Sequence, residues 1–248
     1  GDTYGFRLEG GVGEGVVIDP GIEYSSFFGG SDDDFGHIEL DGSKNVYCSG
    51  YTYSSDFPTI PGSYSTVISG LSDSFIFKMN PSCTSLVYST FIGGADDDVV
   101  EDLVVTSNMS VIVGGRSKST DHPITSGVVG PFNSGGWDAI LLQLSPGGNS
   151  LVFSTYLGGS TRDFGMGVRQ LNSGDIIVGG NTKSSDFPST VNINNTGFGD
   201  WDVFVCKLDS NCSIMKNSTL FGDSGYDYSM AIEVGPKDTV YLTGSTNS

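Results

Sequence analysis

The chain has 248 residues, of which 37% are apolar, 11% aromatic and only 16% charged, with 37 glycines. That is a turn-rich folded chain long enough to bury a sizeable core, and it excludes a collagen-like repeat or a charged, aromatic-poor disordered polymer. Eleven Lys and Arg stand against 29 Asp and Glu, a formal charge of −18 with no basic cluster to neutralise phosphates, so nucleic acid is not an expected partner.

No window reaches the roughly 18 uninterrupted apolar residues of a membrane-spanning helix, so no membrane span is expected. The acidic surface suits calcium, cationic partners or a high-salt habitat, and equally simple solubility. The chain opens at GDTYGF and stops at GSTNS, with neither an initiator Met nor a signal peptide. A processed product or an excerpt of something longer is expected.

Taken in order, runs rich in β-branched and aromatic residues read as strands separated by Gly, Asn, Asp and Pro. YGFRLEG (4–10) and IEYSSFF (22–28) come first. GHIEL (36–40), VYCSGYT (46–52), SFIFKMN (74–80) and LVYSTFI (86–92) follow as one set of four. VVEDLVV (99–105), VIVGGRS (111–117), DAILLQL (138–144) and LVFSTYL (151–157) make a second. GMGVRQL (165–171), DIIVGGN (175–181), DVFVCKL (202–208) and a weaker SIMKNSTLF (213–221) make a third, and SMAIEV (229–234) with TVYLTGS (239–245) half of a fourth. Helical periodicity is absent.

Three markers recur in one register. YSSFFGGSDDDF, YSTFIGGADDDV, FSTYLGGSTRDF and NSTLFGDSGYDY begin at residues 24, 88, 153 and 217. SGYTYSSDFP, GGRSKSTDHP and GGNTKSSDFP place Gly50, Gly115 and Gly180 in the same beat, with Gly244 following, and Asp73, Asp138 and Asp202 coincide at the start of the third strands. A four-stranded antiparallel sheet of this size cannot bury its faces alone, so neighbouring sheets must stack, and radial repetition that hides the edges is the β-propeller.

The blocks YSTFIGGADDD, GYTYSSDFP and DAILLQLSPGGNSLVFSTYLGG resemble the SBBP β-propeller repeats of secreted and cell-surface proteins from bacteria and archaea, over residues 18–248. The resemblance implies an extracellular location and a propeller architecture more than any chemistry, since the family is not tied to a known catalytic activity. The chain departs from the pattern where NSTLFGDSG replaces the usual block and where the last unit breaks off.

The expected fold is therefore all-β: a propeller of four-stranded antiparallel blades over 1–248, with blades at 29–92, 93–157 and 158–221 and a half blade at 222–248. Residues 1–28 complete the last blade or a preceding one. Three full units and two halves amount to four blades, which either close into a ring stitched by both termini or form an arc of a larger ring, and the arc is slightly favoured.

In a propeller the turn after the fourth strand shares a rim with the loop after the second. That groups Asp32, Asp33, Asp34 and Asp56, then Asp96, Asp97, Asp98 and Asp121, with Asp163 and Asp186 beyond them. Such acids read either as calcium ligands or as turn residues that accept backbone N–H bonds, the latter being favoured because recurrence in every unit is what a turn requires. The loop after each second strand, about 20 residues long, is expected on that busy face.

Trp137 and Trp201 precede the recurring third-strand Asp, and read as sugar-stacking platforms or, more commonly, as packing against the neighbouring blade. Cys48 with Cys83 and Cys206 with Cys212 are the expected disulfides, with reduced buried thiols as the alternative. Asn108, Asn194, Asn211 and Asn217 lie in N-glycosylation triplets.

No catalytic residue is singled out. His37 and His122 are the only imidazoles, and GGVGEG (10–15) lacks the Lys and the context of a phosphate loop. The leading expectation is a non-enzymatic extracellular structural or adhesive module that presents loops to protein or glycan, calcium being the only cofactor considered, with possible incorporation into a larger surface assembly. A carbohydrate-binding lectin and an enzyme with an acidic top-face site are the alternatives.

Overall fold

The computed structural model describes residues 27–192 and 199–247. The expected all-β class is found, in four sheets. Strands β1 (Asp34–Leu40), β2 (Val46–Thr52), β3 (Asp73–Met79) and β4 (Leu86–Ile92) form the first, an antiparallel meander in sequential order. Strands β5 (Asp98–Val105), β6 (Val111–Ser117), β7 (Asp138–Leu144) and β8 (Leu151–Leu157) form the second.

The third runs β9 (Asp163–Gln170), β10 (Ile176–Thr182), β12 (Asp202–Leu208) and β13 (Met215–Phe221), with the two-residue β11 (Val191–Asn192) added parallel to the outer side of β13. The last described sheet is the pair β14 (Asp227–Val234) and β15 (Val240–Thr246). Expected strands 36–245 fall on these within one or two residues. The calls on 4–10 and on most of 22–28 lie outside the described residues.

Short turns set the register. After β1, Asp41 Oδ1 accepts the N–H groups of Ser43 and Asn45, both at 2.9 Å, and Lys44 turns the chain at φ 64°. Between third and fourth strands the left-handed residue is Cys83, Gly148 or Cys212 in successive sheets, at φ 53°, 70° and 54°. Only the middle sheet fills that position with the residue that adopts it without strain.

The recurring glycine of each second strand has a steric cause. A Cβ at Gly50, Gly115, Gly180 or Gly244 would lie 1.8–2.0 Å from the carbonyl oxygen of Phe35, Val99, Phe164 or Tyr228 on the first strand. No side chain fits there, which fixes the beat seen in the sequence.

The sheets bury their faces on one another. Tyr47, Ile76 and Tyr88 of the first meet Leu103, Val111 and Val113 of the second. Ile112, Leu141 and Phe153 of the second meet Val168, Val178 and Phe204 of the third. Ile177 of the third packs with Ile232, Val240 and Leu242 of the last.

The first strand of each sheet is an edge, and its outward N–H groups need partners. Carboxylates of the preceding sheet supply them. Glu39 Oε2 accepts from Val105 N at 3.0 Å, and Asp102 Oδ2 accepts from Val168 N at 3.0 Å. Arg169 then pairs with Asp102 at 2.6 Å and Glu233 at 3.2 Å, tying β5, β9 and β14 together. Burial pushes the Glu39 carboxyl above its ordinary value, against the Val105 bond and the Arg169 charge. Residues of β1, β5, β9 and β14 line one polar cavity of about 500 Å³.

At the opposite edge, the long loops after the second strands run beside the fourth strands. Ile60 N donates to Ser89 O at 3.1 Å and Phe91 N to Ser65 O at 3.0 Å. Tyr156 N donates to Gly130 O at 3.0 Å and Thr190 N to Ser218 O at 2.9 Å. The loops expected on the busy face thus also cap the fourth-strand edge of the first three sheets.

Because Arg169 neutralises two inner-strand carboxylates, Arg169→Met is expected to lower unfolding free energy by about 1–3 kcal/mol in urea denaturation. A change below about 0.5 kcal/mol would show that the inner charges do not tie the sheets.

Candidate functional site

The acidic turns come together as the sequence suggests, and Oδ1 of each loop Asp accepts from the facing turn. Asp56 Oδ1 accepts from Ser31 N at 2.9 Å and Ser31 Oγ at 3.0 Å, while Asp32 N donates to Ser54 Oγ at 2.8 Å. In the next unit Asp121 Oδ1 accepts from Ala95 N at 2.8 Å, and Asp96 N donates to Ser119 Oγ at 2.9 Å. In the third, Asp186 Oδ1 accepts from Ser160 N at 2.8 Å, and Thr161 N donates to Ser184 Oγ at 3.0 Å.

The recurring phrase of the second-to-third loop is therefore one half of a clamp whose other half is the glycine turn before each first strand. The bonds to Ser31 and Ser160 hold Asp56 and Asp186 below the ordinary carboxylate value.

The last Asp of each turn lies deeper. Its Oδ2 accepts the N–H of the second turn residue: Gly30 to Asp34 at 2.7 Å, Gly94 to Asp98 at 2.7 Å, Gly159 to Asp163 at 2.8 Å and Asp223 to Asp227 at 3.1 Å. Thr52 and Thr182 hydroxyls also donate to Asp34 and Asp163.

Beside Asp98, Asp163 and Asp227 stand Asp73, Asp138 and Asp202 from the third strand of the preceding sheet. A Cβ on Gly93 would lie 2.5 Å from Asp73 Oδ1 and 3.0 Å from Asp98 Oδ2, and one on Gly158 would meet Asp138 and Asp163 in the same way. Glycine leaves just the space that two carboxylates fill.

Burial, with a smaller contribution from the facing carboxylate, pushes Asp73, Asp138 and Asp202 up to about 6. These pairs were not singled out as a site in the sequence. The signal was present in the coincidence of Asp73, Asp138 and Asp202, but nothing in one dimension shows that each faces the next unit's Asp.

One junction differs. His122, where the other units have Phe57 and Phe187, is buried with Nδ1 2.9 Å from Asp98 Oδ1, and its Nε2 has no hydrogen-bond partner. Burial would push Asp98 up, but the His122 bond and charge hold it below the ordinary value, whereas burial does raise Asp163.

Asp33 and Asp97 sit on the exposed side of the turns, where Asp97 Oδ1 accepts from Ser72 Oγ at 3.1 Å and the carbonyls of Asp33 and Asp97 accept from Tyr53 N and Lys118 N. Asp96 pairs with Lys118 at 2.8 Å. Among the described residues no three His, Cys, Asp or Glu side chains gather into a set that could hold a metal ion. The calcium expectation therefore finds no assembled ligand set there.

The tryptophans pack between sheets. Trp201 lies 4.8 Å from the Phe164 ring and 5.8 Å from Tyr228, and Trp137 meets Phe164 edge-on at 6.2 Å. Arg116 sits over Trp137 and Phe164, and Lys183 over Trp201. Trp137 remains half-buried, while Trp201 is buried.

The disulfide expectation is corrected, since all four thiols are free. Cys48 packs in the aromatic cluster of Phe57, Phe75 and Phe77, and Cys206 Sγ lies 3.2 Å from Ser218 Oγ. Burial pushes the Cys48 and Cys206 thiols up to about 12, which leaves them unreactive. Asn108, Asn211 and Asn217 are exposed, and Asn194 lies outside the described residues.

Compared with known proteins, the chain matches no protein-family model and no curated protein. Among the described residues no helix is long and apolar enough to cross a membrane.

Two outcomes follow from these carboxylates. Replacing His122 by Phe should move the Asp98 carboxyl from below to above its ordinary value, read by carbon-detected NMR titration; an unmoved midpoint would deny His122 its role.

Asp73 titrates near 6 when folded and near 3.8 when unfolded, so the stability of its protonated form is full below about 4 and lost as pH rises through about 6. Between pH 5 and 7.5, Asp73→Asn should therefore lose about 1–2 kcal/mol less stability than the parent in denaturant titrations. Parallel profiles would contradict the raised value.

Proposed function

We propose that the chain is a non-catalytic, extracellular β-propeller module with a structural or adhesive role, presenting its edge loops to protein or glycan at a cell surface. Four first strands lining one cavity, with each sheet interlocked to the next, support radial stacking. The SBBP-like blocks support the surface location, as do the three exposed Asn acceptors.

The observation that carries the non-catalytic reading is the commitment of the acidic rim. Asp56, Asp121 and Asp186 each use Oδ1 to accept an N–H of the facing glycine turn, so they brace the rim. What the rim presents outward is loop surface, with Tyr53, Tyr64, Val67, Leu71 and Phe132 exposed. Aromatic and hydroxyl side chains held by a rigid frame offer contact area at low entropic cost.

The test is a glycan array and a binding assay on immobilised surface glycoproteins, run beside glycoside, ester and peptide substrates. Binding lost in Tyr64→Ala or Phe132→Ala at unchanged melting temperature is expected. Turnover abolished by Asp73→Asn would replace the reading with an enzyme, and glycan binding lost only in a normally folded Trp137→Ala would replace it with a tryptophan-based lectin.

A further inference from the structure

The four first strands repeat a residue type at some levels and abandon it at others. Ile38, Leu103, Val168 and Ile232 hold one register place in β1, β5, β9 and β14, and all four are apolar. One residue further on stand Glu39, Val104, Arg169 and Glu233, and one residue earlier His37, Asp102, Gly167 and Ala231. A requirement of sheet stacking repeats from unit to unit, as the second-strand glycine does. At these two levels the charge changes sign or vanishes from one sheet to the next.

Both levels open on the polar cavity of about 500 Å³, where Glu39, Asp102, Arg169 and Glu233 meet the apolar side chains of Ile38 and Val104. Small-molecule sites usually enclose about 300–1,000 Å³. Three carboxylates face one guanidinium in it. Arg169 is committed to Asp102 at 2.6 Å, to Glu233 at 3.2 Å and to the Val168 carbonyl at 2.6 Å. Glu39 accepts the Val105 N–H through Oε2 at 3.0 Å, and among the described residues its Oε1 has no hydrogen bond.

The surroundings of Glu39 call for positive charge. Burial pushes its carboxyl up, and the charges of Asp102 on β5 and Glu233 on β14 push the same way, against the Val105 bond and Arg169 on β9. His37, on the same strand, is the remaining titratable group at the cavity.

The kind of cation follows from how the charges are spread. Among the described residues no three acidic, His or Cys side chains gather as a metal ion needs, and a hard divalent cation wants several oxygens converging on one point. Ile38 is 68% exposed and Val104 partly exposed, so hydrocarbon surface lies beside the carboxylates. An ammonium group on a hydrocarbon stem satisfies both: it donates to a few oxygens, and its stem covers the apolar wall.

We propose that this cavity binds a small aliphatic amine, its ammonium group donating to Glu39 Oε1 and its stem lying along Ile38 and Val104. Arg169 holds Asp102 and Glu233 in place around it. The site stands on the cavity and does not depend on what the edge loops bind.

The test is calorimetric titration of the full chain with putrescine, a short aliphatic diamine, at about 150 mM salt, where exposed charges are screened beyond about 8 Å. One saturable site per chain is expected. Glu39→Gln keeps an acceptor for Val105 but removes the charge, and should weaken binding about tenfold or more. Asp33→Asn removes one charge from the exposed side of a turn, and should leave the affinity within about twofold. Equal losses in the two variants would reduce the binding to general attraction by a chain of net charge −18, which overturns the site.

Carbon-detected NMR titration of the unaltered protein guards against a variant that fails to fold. Saturating putrescine should lower the Glu39 carboxyl midpoint and leave that of Asp56 in place. An unmoved Glu39 midpoint overturns the proposal. Calcium lowering it as far as putrescine does, at the same concentration, would give the cavity to metal ions and overturn the amine.

Discussion

The structure depends on how one sheet is joined to the next: a buried carboxylate at the start of β5, β9 and β14, held by a backbone N–H of the preceding turn and facing a second carboxylate from the preceding sheet. Burying such groups is costly unless their oxygens are satisfied. Backbone amides, Ser and Thr hydroxyls and, once, a histidine meet that demand. The acids so prominent in the sequence act mainly as fasteners, and this is why they recur with the same period as the strands.

The same logic runs along the edges of the four-stranded sheets. A four-stranded meander exposes unpaired N–H and C=O groups along its first and fourth strands. Inside, carboxylates of Glu39 and Asp102 take the N–H groups of the following sheet. Outside, the loop that leaves the second strand returns along the fourth and bonds to it, through Ile60, Ser65, Thr125, Gly130 and Thr190. The loops are long because they must travel that distance, and some of their side chains, such as Val67, Leu71 and Phe132, stay exposed.

Much of the architecture was legible in one dimension because period and turn chemistry are local properties. Strand positions, the four-unit register and the pairing of the GGSDDD turn with the SSDFP phrase could be read from recurrence, since each unit solves the same local problem. The functional reading of the rim was less accessible. Which donors reach Asp56 depends on a turn 25 residues away, where Ser31 N and Oγ both meet Oδ1. The cysteines misled for a related reason: Cys83 and Cys212 occupy a turn position that needs positive φ, where another unit uses Gly148, so their spacing reflects a turn and not a bridge.

What the sequence determined by itself is the repeating unit: strands of about seven residues, a glycine beneath each first-strand carbonyl, and acids at fixed places in the turns, because these follow from side-chain size, backbone conformation and short-range hydrogen bonding. Tertiary structure decided which acids face one another, that Trp137 and Trp201 lean on the next sheet, and that Arg169 gathers carboxylates from two others. Those facts depend on distances between residues some 25 to 65 positions apart, which no local pattern encodes and which only the stacking of whole sheets can set.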